Sequence, residues 1–434
     1  MRRLRHAAAA AALLAGFSTA LPMTTAAADG RQPRTEQVSV AADGTPANAP
    51  VDGGRISGDG RFVVFASRAT NLVPGATGDR MKVFLKDLRT GRVELISATP
   101  DGSVADDDST ADSISGDGRY VVFSSFATDL TDAARTGRRS DVYVRDRGTG
   151  RTELLVRSED VPSAKSASDG QISDDGRYVA FSSTGGDGVD YIHVRDRREK
   201  TTVRIGDRLP WGVYASPVIS ADGSKVGFKS NGVPTDPPAT AGVPGIRRPA
   251  PDRRFYVYDI RTRRTRPAAW GLDGEDVRAD RISLSPDGRY ALFSCTSQHV
   301  VENDTNEAGD VFATDLATNG IRLLSLGPGG VQADRSSPVG ALMSADNRKV
   351  FFTSGATNLV PGDTNDTYDV FARDLATGAV ERVSTGVDGA QRTDNARLLG
   401  VDRAGGAVLF GSSADQPVPK GSPTVSGLFV RRLA

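Results

Sequence analysis

One phrase recurs along this chain and limits what it can fold into: Ser-x-Asp-Gly-Arg, followed by an apolar run that ends in Phe. The copies begin at Ser57, Ser115, Ser173, Ser220, Ser285 and Ser344, with Ser224 in the Arg place of the fourth, Asn347 in the Gly place of the sixth, and a worn seventh at Asp402. They end at Phe65, Phe123, Phe181, Phe228, Phe293, Phe352 and Phe410, always eight residues on. The starts lie 58, 58, 47, 65, 59 and 58 residues apart. Self-similarity at such a period marks an array of one small unit. Units that pack only on their neighbours let a chain of 434 residues form a single body.

The phrase has a physical reading. Asp-Gly is a strong hairpin signal, because Gly accepts positive φ and Asp hydrogen-bonds locally. It joins two β-like runs, such as Asp112–Ser115 and Tyr120–Ser124. A third strand follows in each unit, as in Asp141–Asp146 and Asp369–Asp374. A fourth comes after a further turn, as in Thr152–Val156 and Val380–Val383, with Arg264–Trp270 the candidate in the fourth unit. Four strands make one blade, so the chain is expected to be an all-β, seven-bladed β-propeller of four-stranded antiparallel blades. The ends predict how the ring closes. Glu36–Val40 begins a stretch, running to Gly44, that matches Glu381–Gly389 and is a fourth strand without its blade. The last unit stops after Leu428–Val430 and lacks a fourth strand. The N-terminal strand is therefore expected to complete the C-terminal blade and remove an open edge.

Residues 1–28 read as a secretory signal: Arg2, Arg3 and Arg5, an apolar run from Ala7 to Ala20, and a small-residue site at Ala26-Ala27-Ala28. Residues 29–34 form a short leader and 35–434 the propeller. No later segment has the length of a membrane span. A secreted or periplasmic chain follows, expected to act as a monomer. Without the signal, 51 basic residues face 54 acidic ones, a net charge of about −3, which favours no nucleic-acid partner. The sole cysteine, Cys295, sits in an apolar run and reads as a buried filler.

The Ser-x-Asp-Gly-Arg-Tyr-Val-x-Phe phrase resembles the repeat of TolB-like and related WD40-like propellers of exported bacterial proteins. The resemblance spans roughly Arg34 to Ala434 and is best in units two, five and six. Ser285-Pro286-Asp287-Gly288-Arg289 stands nearest to that family's form. The resemblance implies a rigid ring that binds proteins or cell-envelope components, and it carries over no catalytic residue. The extra domains of TolB and of the prolyl oligopeptidase-type peptidases, which share the repeat, are not expected in this chain.

Asp304, Asn306 and Asp310, and likewise Asp363, Asn365 and Asp369, place oxygen donors at alternating positions and are candidate Ca²⁺ ligands, or else turns capped by their own side chains. Without the signal only His193 and His299 remain, and no Gly-x-Ser-x-Gly elbow is present. The expectation is a non-catalytic binding ring for a protein or cell-envelope ligand, with no cofactor apart from possible Ca²⁺. The alternative is a hydrolase or lyase acting on a glycan or peptide with acids at the axis. A cluster of inward-pointing acids or a His near the axis favours the second, and a channel of small and polar side chains the first. The loops between strands two and three vary most in length, so their face is the expected ligand face.

Overall fold

In a computed structural model, residues 32–132, 139–156, 164–185, 190–205, 213–230, 254–274, 277–337, 340–412 and 427–433 are described. Residues 1–28, read from the sequence as a secretion signal, and most of the proline-rich loop at 231–254 lie outside these residues.

Seven four-stranded antiparallel sheets are present, as the repeat predicts. Blade 1 consists of Val51–Ile56, Phe62–Ser67, Lys82–Asp87 and Val93–Leu95, from inner to outer strand. Blades 2 to 6 repeat this order, with inner strands Ser109–Ile114, Ala164–Ile172, Val213–Ile219, Ile282–Leu284 and Ala341–Met343. Blade 7 is Ala396–Val401, Ala407–Ser412, Gly427–Arg432 and, from the other end of the chain, Arg34–Gln37. That closing strand runs from Arg34↔Arg432 to Gln37↔Phe429. It starts and ends earlier than the expected Glu36–Val40. Val38 N–H still bonds Leu428 C=O, but at Ser39 the hydroxyl takes over and accepts from Leu428 N–H, and the chain turns away. The same serine device starts the third strands of blades 1, 5 and 6, through Ser97, Ser325 and Ser384.

The turn explains why the phrase repeats. In blade 2, Ser115 Oγ donates to Asp117 Oδ1 at 2.7 Å and accepts from Tyr120 N–H at 2.9 Å. Asp117 Oδ1 also accepts from Arg119 N–H, and Gly118 takes a φ of +70°. Ser57, Ser173, Ser220, Ser285 and Ser344 make the same pair of bonds. In the worn copy, Asp402 stands at the serine position. Its Oδ1 accepts from Gly406 and Ala407, so one carboxylate replaces both side chains. The Arg of the phrase pairs with the Asp that ends the third strand: Arg61–Asp87, Arg119–Asp146, Arg177–Asp196, Arg289–Asp315 and Arg348–Asp374, with Lys225–Asp259 in blade 4. Those pairs are partly exposed, so each adds little to stability as an ion pair. The same carboxylates cap the next turn, as Asp87 does for the amides of Arg89 and Thr90.

Middle strands are apolar on both faces because each face meets another blade; all six residues of Phe62–Ser67 are buried. Seven apolar clusters result, one in each space between adjacent blades, including the space between blades 7 and 1. An aromatic pair crosses strands two and three in every blade, from Phe65–Phe84 to Phe410–Phe429. His193 fills the second place in blade 3, stacked on Phe181 at 5.0 Å, 2% exposed and 2.9 Å from Ser183 Oγ. It is a wall residue, as its strand position suggested. Cys295 is buried too, which raises its thiol pKa. Among the described residues no helix is long and apolar enough to cross a membrane.

Replacing Ser115 by Ala removes a donor and an acceptor from a fully buried position and leaves Tyr120 N–H without its partner. Urea denaturation should show a loss of about 1–3 kcal/mol. A change within error would mean that the turn does not depend on this hydroxyl.

Candidate functional site at the ring axis

The innermost strands surround the axis, and they are where the repeat breaks down. Residues two places before the turn Ser are Arg55, Ser113, Gln171, Val218, Ser283 and Leu342, with Gly400 in blade 7. Register shifts interrupt the first pairing in blades 1, 2, 3, 4 and 7. Such bulges re-aim side chains. Four places before the Ser, Gly53, Asp169 and Gly340 all have positive φ. A Cβ on Gly340 would lie 2.8 Å from the Arg281 Cβ, so this glycine makes room for Arg281.

Charged groups meet around this axis. Arg55 of blade 1 is desolvated by burial, which lowers its pKa; the charges of Asp112 and Asp169 raise it and that of Arg397 lowers it. Arg397 of blade 7 is also lowered, first by burial and then by Arg281 of blade 5, while Asp52 opposes this. Both Arg281 and Arg397 are exposed. Five blades thus contribute three guanidiniums and three carboxylates that act on one another. Asp112 belongs to the wall as well. It accepts from Ser124 Oγ at 2.5 Å and from Gly170 N–H of blade 3 at 3.1 Å. Beside it, Ser113 Oγ donates to Gly170 C=O and accepts from Ile172 N–H. Burial raises the Asp112 carboxyl to about 7.

The Asp-Gly turns form one mouth of the channel. Main-chain bonds pass from blade to blade there: Asp59→Gly116, Gly116→Asp174, Asp174→Ala221, Asp222→Pro286, Ala345→Arg403 and Arg403→Gly58. Pro286 has no N–H to donate to blade 6, and there Asn347 Nδ2 donates to Asp287 Oδ2 instead, at 2.6 Å. Across this mouth Arg403 Nε of blade 7 reaches Asp174 Oδ2 of blade 3, at 2.5 Å. The pair passes over Gly58 and Gly116, where a Cβ would lie 3.1 Å from Arg403 Nε and 2.3 Å from its Nη2 respectively. The other face carries the connections between strands two and three.

The loop acids lie on that other face, away from the axial cluster. Asn306 Nδ2 donates to Asp310 Oδ2 at 2.8 Å, and Asn365 Nδ2 to Asp369 Oδ2 at 2.9 Å. Ser325 and Ser384 donate to the remaining oxygens of Asp310 and Asp369. Asp363 lies 3.2 Å from Arg382. Asp304 has neither partner, and burial raises its carboxyl to about 6, helped by the charge of Asp310. No group of three His, Cys, Asp or Glu suited to a metal occurs among the described residues.

The recurring acids Asp59, Asp117, Asp175, Asp222, Asp287 and Asp346 are turn residues, as expected from their recurrence. The axial Arg55, Arg281, Arg397 and Arg403 were not singled out in the sequence. Their signal was variation: they stand where the copies of the repeat disagree.

Comparison with solved structures places the chain among β-propellers. An oligogalacturonate lyase from Vibrio parahaemolyticus matches over 93% of this chain and 98% of its own, at 13% identity and a TM-score of 0.54. The acylaminoacyl peptidase of Pyrococcus horikoshii matches over 88% of this chain and 52% of its own, at 12% identity and a TM-score of 0.51. TolB from Acinetobacter baumannii is also among the matches, at 15% identity over 82% of this chain and 77% of its own, with a TM-score of 0.35. No protein-family profile matches the sequence, and no curated protein does. At these identities the likeness is one of fold, and the propeller resemblance read from the repeat holds at that level. One expectation is overturned. The sequence was read as non-catalytic, yet a lyase and a peptidase are among the structures that share this ring, so the fold gives no ground for that reading.

Ionisation of Asp112 opposes folding, because its folded pKa lies above the unfolded value. The penalty is absent below about pH 4, grows as pH rises toward about 7, and is then constant. Asp112→Asn keeps an oxygen for Ser124 and Gly170 and should be more stable than the parent at pH 8, by roughly 1–3 kcal/mol, with no gain at pH 4. Chemical denaturation at the two pH values measures this; equal differences at both would refute it.

Proposed function

We propose that this protein is an exported ligand-binding ring that takes an acidic glycan into its axial channel from the face of the long loops. The feature that carries this reading is the placing of Arg55, Arg281 and Arg397 on or beside the innermost strands of blades 1, 5 and 7, near enough that the charge of Arg397 lowers the pKa of Arg55 and that of Arg281 lowers the pKa of Arg397. Guanidiniums held near one another repel, and a carboxylate that bridges them relieves the repulsion while accepting paired hydrogen bonds. Asp52 and Asp169 beside them suit the hydroxyls of a sugar. The Arg403–Asp174 pair at the opposite mouth favours entry from the loop face. A protein segment would need apolar contacts at the axis, and the charged groups there favour the glycan.

Tetragalacturonate is the first probe, because it is a short uronate chain and because lyases acting on oligogalacturonate share the ring. Calorimetry should detect binding that weakens with salt and falls at least tenfold in Arg281→Gln and in Arg397→Gln. Chain length of the glycan after incubation reports whether binding leads to cleavage. Equal affinity for neutral tetragalactose, or full binding by both variants, would sink the proposal.

A further inference from the structure

Three blades carry the same loop between strands two and three, and each treats its interior charge differently. In blade 6, Asp363 and Asp369 share the guanidinium of Arg382, at 3.2 and 3.6 Å. Gln391 Nε2 also donates to Asp363, at 2.9 Å. In blade 1 the acids are gone: Ala76 and Lys82 stand at the two places. Lys82 is 1% exposed, and its ammonium donates to the carbonyls of Arg80 and Gly78 at 2.8 and 3.0 Å. Both loops thus contain a cation supplied by the chain.

Blade 5 has the acids and lacks the cation. Asp304 matches Asp363 in sequence, and Asp310 begins the third strand as Asp369 does. Leu323 pairs with Phe312 as Arg382 pairs with Phe371, so an apolar side chain occupies the place of the guanidinium. Gln332, the counterpart of Gln391 at the same isolated bridge, turns its amide to the Asn303 carbonyl. Asp304 is only 6% exposed, and neither of its carboxylate oxygens has a hydrogen-bond partner of good geometry, the Asn306 N–H only weakly opposing the rise in its pKa. Asp310 is fully buried beside it, its oxygens each holding one donor, from Ser325 and Asn306. Two buried carboxylates without a counter-charge are costly to retain.

We infer that the blade 5 loop binds one Ca²⁺ ion, with Asp304 and Asp310 as its charged ligands. Asn306 is a positioning residue, because its amide holds Asp310 and its oxygen accepts from Ala308 N–H. Hard oxygen donors on an irregular loop suit Ca²⁺, whose coordination is flexible and is completed by main-chain carbonyls and water. Mg²⁺ demands a stricter octahedron, and zinc prefers nitrogen or sulfur ligands. The ion would do for blade 5 what Arg382 and Lys82 do for blades 6 and 1.

Calcium chloride titrated into the chelator-treated full chain is the test. One ion should bind per chain, and the melting temperature should rise by several degrees in millimolar Ca²⁺. Asp304→Asn should bind at least tenfold more weakly. Leu323→Arg copies blade 6 and should abolish binding while keeping the melting temperature of the calcium-free parent. Arg382→Leu removes the internal cation of blade 6 and should raise the stoichiometry to two. Absence of both heat and a thermal shift in the parent overturns the inference, as does parental affinity in both Asp304→Asn and Leu323→Arg. Should Asp304→Asn fail to fold, the parent titration and the stoichiometry of Arg382→Leu still decide. This readout is independent of the axial arginines.

Discussion

A blade of this protein has two apolar faces and no means of covering either by itself. Covering both faces of every blade therefore depends on the ring being closed. Seven inter-blade clusters bury the middle strands on both sides, and the one between blades 7 and 1 exists only because the two ends of the chain meet. They meet through a short pairing, Arg34–Gln37 against Phe429–Arg432, extended by Val38 and Ser39. Loss of that pairing would leave blade 7 with an open edge and free the interface beside blade 1. The rings of bonds at the Asp-Gly mouth and the aromatic pair in each blade are secondary to this closure, because they assume blades already side by side.

Within that frame the repeated and the unrepeated residues do different work. Serine, aspartate and glycine at the turns recur because each blade must make the same hairpin, and their side chains are used up by the local backbone. Chemistry appears where copies diverge. Arg55 stands where other blades have Ser, Gln, Val, Leu or Gly, Arg281 where they have Gly, Ala, Asp, Ser or Leu, and Arg397 where they have Asp, Thr, Ser, Ala or Val. Arg403 and Asp174 stand where Gly58, Gly116 and Ala221 stand elsewhere. Leu323 takes the place of Arg382 and leaves Asp304 and Asp310 without that guanidinium. A repeat fold supplies its own reference for such departures, since neighbouring blades show what the same position does when it is only structural.

Much of the fold was legible in the sequence because hairpin chemistry is local. Ser115, Asp117 and Gly118 settle their turn within six residues, and six of the seven copies do so with the same Ser and Asp, Asn347 taking the Gly place in blade 6. The seventh was legible from spacing, and only the structure explained it: Asp402 does the work of two residues. The closing strand was found from its likeness to Glu381–Gly389, but its boundaries were not, because Ser39 ends the pairing through a side-chain bond that no pattern of apolar residues announces. The axial cluster was not legible. Arg55 and Arg281 lie 226 positions apart, and nothing near either predicts that they approach one axis. The expectation of a non-catalytic ring leaned on the absence of familiar nucleophile motifs, whereas groups gathered around an axis come from separate blades and leave no motif.

The sequence by itself determined the unit, its number and the way the ends are joined, because these follow from interactions within a few residues and from periodicity. Tertiary structure decided which charges meet. Five blades bring Arg55, Asp112, Asp169, Arg281 and Arg397 to the axis, and Arg403 crosses to Asp174 from 229 residues away. Electrostatic interaction depends on distance in space and on burial, and in a closed ring both are set by the angle between blades, which no stretch of the chain encodes alone.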